Sequence, residues 1–269
     1  MTDAGLDPGL DPGLDPGLDA ALRDLAERAR TGPVLVALDF DGVLAPLVDD
    51  PATSRALPEA AAALARLAPV ARLALVSGRA LADLAKLAGP PEGTLLVGGH
   101  GAERGRRHGG ALDRIPLHLP DDAARRLDGL ATALRDLTAG TTGRVERKPA
   151  SVVLHTRTAD PDDAAHLTAA AVALGTDAGA DVLRGKDVVE LAVLDVDKGS
   201  ALTELRADVG AVGLLYAGDD VTDERAFAAL RPDDVTVKVG AGATQARFRV
   251  ADPAAVARLL DRLADLLAG

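Results

Sequence analysis

Four short stretches place carboxylates, a hydroxyl and a lysine where apolar runs stop or helices begin. They are Asp39-Phe40-Asp41-Gly42, Ser77-Gly78-Arg79, Asp197-Lys198-Gly199, and Gly218-Asp219-Asp220 with Asp223 shortly beyond. Two carboxylates held together serve a divalent cation, share a proton, or pair a nucleophile with an acid. Alone, such a pair is also ordinary turn and cap chemistry. In an ideal strand Asp39 and Asp41 share a face. At a strand end the chain turns, leaving one carboxylate to face a reacting centre while the next residue offers its carbonyl.

The elements around these stretches follow from their patterning. Residues 34–38 are apolar without a break, as in a strand buried on both faces. Similar runs at 73–76, 95–97, 213–217 and 235–239 alternate with helical spacing at 18–30, 58–67, up to 87, 200–209, 223–230 and 254–267. Strand–helix alternation predicts a parallel sheet, and ligands bind at the carboxyl edge of such sheets. The texture changes at 104–119, which is polar and glycine-rich. A helix at 123–138, alternating residues at 144–157, a helix at 163–174 and strands within 181–194 then read as a β-α-β-α-β layer inserted into the first domain. The expected division is a core domain of residues 18–113 and 195–269, an inserted domain of 114–194, and a tail of 1–17. The tail holds three copies of Leu-Asp-Pro-Gly, whose proline and glycine predict a disordered segment.

Composition excludes several classes. The 269 residues are 48% hydrophobic, ample for a core, but include only three phenylalanines, one tyrosine and no tryptophan. A stacking platform for single-stranded nucleic acid is not expected. A net charge of −11 argues against a nucleic-acid surface. Without cysteine there are no disulfides or thiolate metal sites. No leader-like segment or bilayer-length apolar run is present, so the default expectation is a soluble cytoplasmic protein with no membrane partner.

In order and spacing, the four stretches resemble the haloacid dehalogenase superfamily of phosphotransferases, from about residue 33 onward. The resemblance implies an α/β fold: a Rossmann-like parallel-sheet core with an inserted α+β cap of the C2 type, which falls between Ser77 and Lys198. It implies that Asp39 forms an aspartyl-phosphate, and that Asp41 protonates the leaving oxygen and then activates water. Ion-pumping relatives carry Thr where Asp41 stands, so Asp41 implies turnover by hydrolysis. A carboxylate approaching a phosphate is two anions meeting, at about 4 kcal/mol for unit charges about 4 Å apart in an effective dielectric of about 20. Mg²⁺ suits the task, with Asp39, the Asp41 carbonyl and Asp219 as expected ligands and Asp223 close behind. Lys198 would hold a phosphoryl oxygen against the nucleophile. Ser77 and the Gly78 N–H would donate to another phosphoryl oxygen, with Arg79 beside them. Asp220 reads equally well as a helix cap.

The inserted layer points to a sugar. The stretches 98–103 (GGHGAE), 145–155 (VERKPASVVLH), 185–191 (GKDVVEL) and 218–224 (GDDVTDE) resemble those of trehalose-6-phosphate phosphatases. In that group, cap glutamates and a lysine grip glucose hydroxyls. That role falls here on Glu146, Lys148 and Glu190, with His100 lining the entrance. Glu146 and Lys148, two apart in an alternating strand, would share a face, and His155 would support the strand. Gly99, Val43, Thr156 and the pair Ala192-Val193 depart from the group's usual Asn, Thr, Tyr and Arg-Pro. The expected reaction is Mg²⁺-dependent hydrolysis of trehalose 6-phosphate by a monomer. Sucrose phosphate or a glycosyl-glycerate phosphate would keep the chemistry and change the sugar. A non-catalytic module sensing a sugar phosphate beside a trehalose-6-phosphate synthase is the alternative of another class. Asp41 argues against it, since a sensor has no use for that group.

Overall fold

A computed structural model of the chain describes residues 14–117, 119–194 and 196–269. In chain order its elements are α1 (Pro16–Arg28), β1 (Val34–Leu38), α2 (Pro58–Leu67), β2 (Arg72–Val76), α3 (Leu81–Ala88), β3 (Leu95–Gly98), β4 (Glu103–His108), β5 (Ala111–Ile115), α4 (Asp121–Leu137), β6 (Arg144–Arg147), β7 (Ser151–His155), α5 (Pro161–Asp177), β8 (Asp181–Gly185), β9 (Val188–Ala192), α6 (Lys198–Val209), β10 (Gly213–Gly218), α7 (Val221–Ala229), β11 (Val235–Val239), β12 (Phe248–Val250) and α8 (Pro253–Ala268). They divide into two compact units. One comprises the residues up to Ile115 with Asp197–Gly269, and the other is Pro116–Val196.

The first unit is built on an eight-stranded sheet in the order β12-β11-β10-β1-β2-β3-β4-β5. The strands from β12 to β3 run parallel, and β4 and β5 add an antiparallel edge. β1 sits centrally, and alternate side chains enter opposite layers. Val34, Val36 and Leu38 join a core with residues of α1, α2, α3 and α8, while Leu35 and Ala37 join one with residues of α6 and α7. A strand covered on both faces must be apolar throughout, which is why 34–38 shows no alternation. The chain leaves β1 for β2 on one side and later returns to β10 on the other. A crevice opens where strand order diverges in this way.

Three expectations are corrected here. Two copies of Leu-Asp-Pro-Gly lie outside the described residues, but the third is ordered. Leu14 is buried, Asp15 accepts the Leu18 N–H at 3.0 Å, and Pro16 opens α1. Proline blocks a helix interior but suits its first position, where its missing N–H has no partner to lose. Second, most of the polar stretch after 103 is regular structure belonging to the first unit. It is the β4–β5 hairpin, whose mostly exposed face removes the alternation that marks a half-buried strand. Third, the inserted unit runs α4-β6-β7-α5-β8-β9, a four-stranded antiparallel sheet in the order β6-β7-β9-β8. Leu127, Leu134, Val152, Leu154, Leu167 and Leu191 form its own core with neighbouring alanines and valines. Among the described residues no helix is long and apolar enough to cross a membrane.

Candidate active site

Asp39 follows β1 directly, and its N–H donates to the Ala217 carbonyl of β10 at 3.0 Å. The parallel pairing therefore carries one residue past the strand and fixes where the carboxylate starts. The residue is 4% exposed. Its Oδ1 accepts the Phe40 N–H at 2.6 Å and its Oδ2 accepts from Lys198 Nζ at 2.6 Å. Lys198 is buried at the first position of α6. Asp197 caps that helix by accepting the Ser200 N–H at 2.8 Å, while the Ser200 hydroxyl accepts the Asp197 N–H at 3.0 Å. A reciprocal cap of this kind fixes the direction in which the next side chain leaves.

Lys198 also donates to Asp223 Oδ1 at 2.7 Å. Asp223 is fully buried in α7 and has every lone-pair region engaged. Its Oδ1 accepts the Tyr216 hydroxyl at 2.6 Å, and its Oδ2 accepts the N–H groups of Asp219 at 2.8 Å and Asp220 at 3.0 Å. Asp220 is the cap of α7, accepting the N–H groups of Thr222 and Asp223 at 2.8 and 3.1 Å. Asp219 is thus the carboxylate that this turn leaves to the crevice. Its carbonyl accepts from Lys238 Nζ of β11, so the peptide groups on both sides of Asp219 are held.

Asp41 turns the other way. Arg79 grips it with two bonds, Nε to Oδ2 at 2.5 Å and Nη2 to Oδ1 at 2.7 Å, and the buried Ser54 hydroxyl donates to Oδ1 at 3.0 Å. Arg79, expected among the substrate-binding residues, turns its fork to Asp41, and its guanidinium lies 5.5 Å from the Phe40 ring centroid. Gly42 has φ +69°, and a Cβ there would lie 2.0 Å from Asp219 Oδ2. Only glycine allows the turn and the carboxylate to share that space. Ser77 is buried at the end of β2, and its carbonyl accepts the His100 N–H at 3.1 Å. His100 has φ 56°, a conformation non-glycine residues seldom adopt. Its ring covers Gly78, where a Cβ would lie 2.4 Å from His100 Cε1.

These residues border one cavity of about 510 Å³, lined by Asp39, Asp41, Ser77, Gly78, Arg79, His100, Lys198, Asp219 and Asp220 with an apolar wall of Leu47, Val48 and Pro51. Leu47 is 73% exposed and Val48 45%. Burial pushes the Asp39 carboxyl up to about 7, with Lys198 opposing and the Asp223 charge adding. Burial, then Asp223 and Asp220, push Asp219 up to about 6. Burial alone would lower Lys198, but Asp39, Asp223 and Asp220 outweigh it and hold the lysine above its usual range. Burial also resists the charge on Asp220, yet Lys198 and the bonds from Thr222 and Asp223 keep it below the usual carboxylate range.

Burial makes both carboxylates costly to ionise without a cation beside them. Oxygens of Asp39, Asp219 and Asp223 lie within 4.8 Å of one another, and the donors are all hard oxygens. The residues fit a small divalent cation. Asp223 is saturated by its own donors, which leaves Asp39 and Asp219 to such an ion.

A family model described as trehalose-phosphatase matches residues 37–254. The chain belongs to the trehalose-phosphatase family. The trehalose-phosphate phosphatase of Mycobacterium avium (strain 104) is 39% identical over 250 residues, covering 86% of this chain and 62% of that protein. The chain thus spans less than two thirds of the length of that relative. Among solved structures, a trehalose-6-phosphate phosphatase related protein is 27% identical with a TM-score of 0.67, covering 86% of this chain and 97% of the other. The trehalose-6-phosphate phosphatase of Aspergillus fumigatus is 25% identical with a TM-score of 0.68, covering 95% and 99%.

In this family member the inserted unit gathers its own polar cluster. Lys148 Nζ donates to Glu190 Oε2 at 3.0 Å, and the Ser151 hydroxyl donates to Glu190 Oε1 at 2.5 Å. Glu146 Oε2 lies 2.9 Å from His155 Nε2. Lys148 lies beyond the end of β6, so it and Glu146 take different partners rather than acting as neighbours on one strand face. His155 is more than a strand support, since it holds Glu146.

Ser54, Tyr216 and Lys238 escaped the sequence reading. Lys238 did leave a signal, as a lysine in the otherwise apolar stretch VTVKV. Tyr216 is the single tyrosine of the chain, inside the apolar run of β10. Ser54 left none, because a serine in a polar loop is ordinary.

Proposed function

We propose that the chain hydrolyses trehalose 6-phosphate to trehalose and phosphate. The observation that carries the chemistry is the buried bridge from Lys198 to Asp39 at 2.6 Å and Asp223 at 2.7 Å, at the end of the central strand. An ammonium has three N–H donors, so this bridge leaves one for a phosphoryl oxygen.

In this reading the Asp39 carboxylate attacks phosphorus, and the bond from phosphorus to the sugar oxygen breaks. Asp41, protonated and released from the Arg79 fork when substrate is bound, gives that oxygen its proton. A water then attacks the phosphorus of the aspartyl-phosphate, Asp41 takes the water's proton, and Asp39 is restored with release of phosphate. A divalent cation, Mg²⁺ by charge and donor type, would be held by Asp39, Asp219 and the Asp41 carbonyl, and would supply neutralisation of the approaching anions. Ser77 and the Gly78 N–H donate to the phosphoryl oxygens. The family match supports a sugar as the leaving group, and so do the Lys148–Glu190 pair and the separate Glu146–His155 pair, because a carboxylate–lysine pair both accepts from and donates to hydroxyls. The apolar wall at Leu47 and Val48 suits the C–H face of a sugar ring.

Phosphate release from trehalose 6-phosphate, glucose 6-phosphate and sucrose phosphate, with and without Mg²⁺, tests the proposal. The expected result is Mg²⁺-dependent turnover that favours trehalose 6-phosphate. Equal rates on the three would refute the sugar assignment, and no turnover of any ester would refute the chemistry.

A further inference from the structure

Tyr216 is fully buried in β10, its ring centroid 5.7 Å from that of Phe227, and the chain holds no other tyrosine. Elsewhere the core is mainly leucine, valine and alanine. A phenylalanine would fill the same volume without the cost of burying a hydroxyl. The hydroxyl is spent on one atom, Asp223 Oδ1 at 2.6 Å, the same oxygen that accepts from Lys198.

Lys198 and Tyr216 therefore compete for a single acceptor atom. Asp223 Oδ2 already accepts two backbone N–H groups, so Lys198 and Tyr216 divide the remaining oxygen. With both donors present, Asp223 draws only part of its compensation from the lysine, which stays within 2.6 Å of Asp39. Without the hydroxyl, a buried carboxylate would take more from its one remaining side-chain donor. The ammonium would then be drawn away from Asp39.

We propose that Tyr216 is a positioning residue, holding Lys198 against the attacking carboxylate by occupying its second partner. The proposal rests on the phosphatase reading above. It predicts a specific kinetic pattern, since the hydroxyl touches neither sugar nor phosphate. Tyr216→Phe lowers kcat about tenfold, on p-nitrophenyl phosphate as on the sugar phosphate, and leaves KM within about twofold. A merely structural role would scatter across kcat, KM and melting temperature.

A second readout uses the unaltered protein. With one tyrosine and no tryptophan, its near-ultraviolet difference spectrum in the tyrosine region reports Tyr216 alone. Adding Mg²⁺ with beryllofluoride, a mimic of a phosphoryl group on a carboxylate, is expected to give a tyrosine difference band that saturates with calorimetric binding. Binding without that band, or a Tyr216→Phe variant that keeps kcat within twofold, overturns the proposal alone. Absence of beryllofluoride binding, together with absence of turnover, overturns the phosphatase reading and this inference with it.

Discussion

Asp39 and Asp219 make the site's dependence on pH a matter of two carboxyls. Both are raised, to about 7 and about 6, chiefly by burial. An acid raised on folding binds its proton more tightly in the native state. Its contribution to stability is full below the unfolded value of 3.8 and is lost as pH rises through the folded value. The contribution of these two carboxyls to the stability of the metal-free protein should therefore fall between about pH 4 and about pH 7, partly offset by Asp220, whose lowered value works the other way. Cation binding needs the deprotonated oxygens, so it runs the opposite way. The rise in melting temperature on adding Mg²⁺ should be small near about pH 5 and full near about pH 8, measured by paired thermal melts. An equal rise at both would mean that these carboxyls are not the ligands. Asp39→Asn tests the same atom by chemistry. It should keep the fold, being nearly isosteric, and hold turnover below about a thousandth of wild type. Asp39, Lys198 and Asp219 were legible because residues that end strands and open helices fall at fixed places in an α/β chain. Tyr216 and Lys238 were not, because their value comes from strand pairing that brings β10 and β11 beside α7.

The turn after β1 is the element on which the site depends. Gly42 combines φ +69° with a side-chain direction already filled by Asp219 Oδ2, 2.0 Å from where a Cβ would stand. Gly42→Ala pays twice, about 1 kcal/mol for the left-handed backbone and a further cost for moving Asp219. The variant should fold with a lower melting temperature and lose most of its Mg²⁺-induced stabilisation, read by calorimetric titration of the metal. Retention of wild-type Mg²⁺ affinity would show that Asp219 needs no such room. Elements were read from sequence in proportion to their burial. Strands covered on both faces, such as β1 and β10, announce themselves as unbroken apolar runs. The β4–β5 hairpin did not, because its residues are largely exposed. β12, only three residues long, is too short for any period to register. The start of α1 hides in a proline-rich repeat, because proline disfavours a helix interior but fits the first turn, where Pro16 stands.

At the scale of the whole molecule, the two units have separate cores. The clusters on either face of the large sheet draw on residues outside 116–196, and the inserted unit's cluster draws only on residues within it. Glu146 permits a clean test. Its side chain is 47% exposed and its partner His155 38% exposed, so truncation should cost little stability, well under about 1 kcal/mol. If it reads sugar hydroxyls, Glu146→Ala should lower kcat/KM for the disaccharide phosphate about tenfold or more, equivalent to about 1.4 kcal/mol of binding lost in the transition state. Hydrolysis of p-nitrophenyl phosphate, which has no hydroxyls to read, should stay within about twofold. A parallel fall on both substrates would make Glu146 a structural residue of β6. A fall on neither would move the sugar contact to Lys148 and Glu190, where the same pair of assays would then apply.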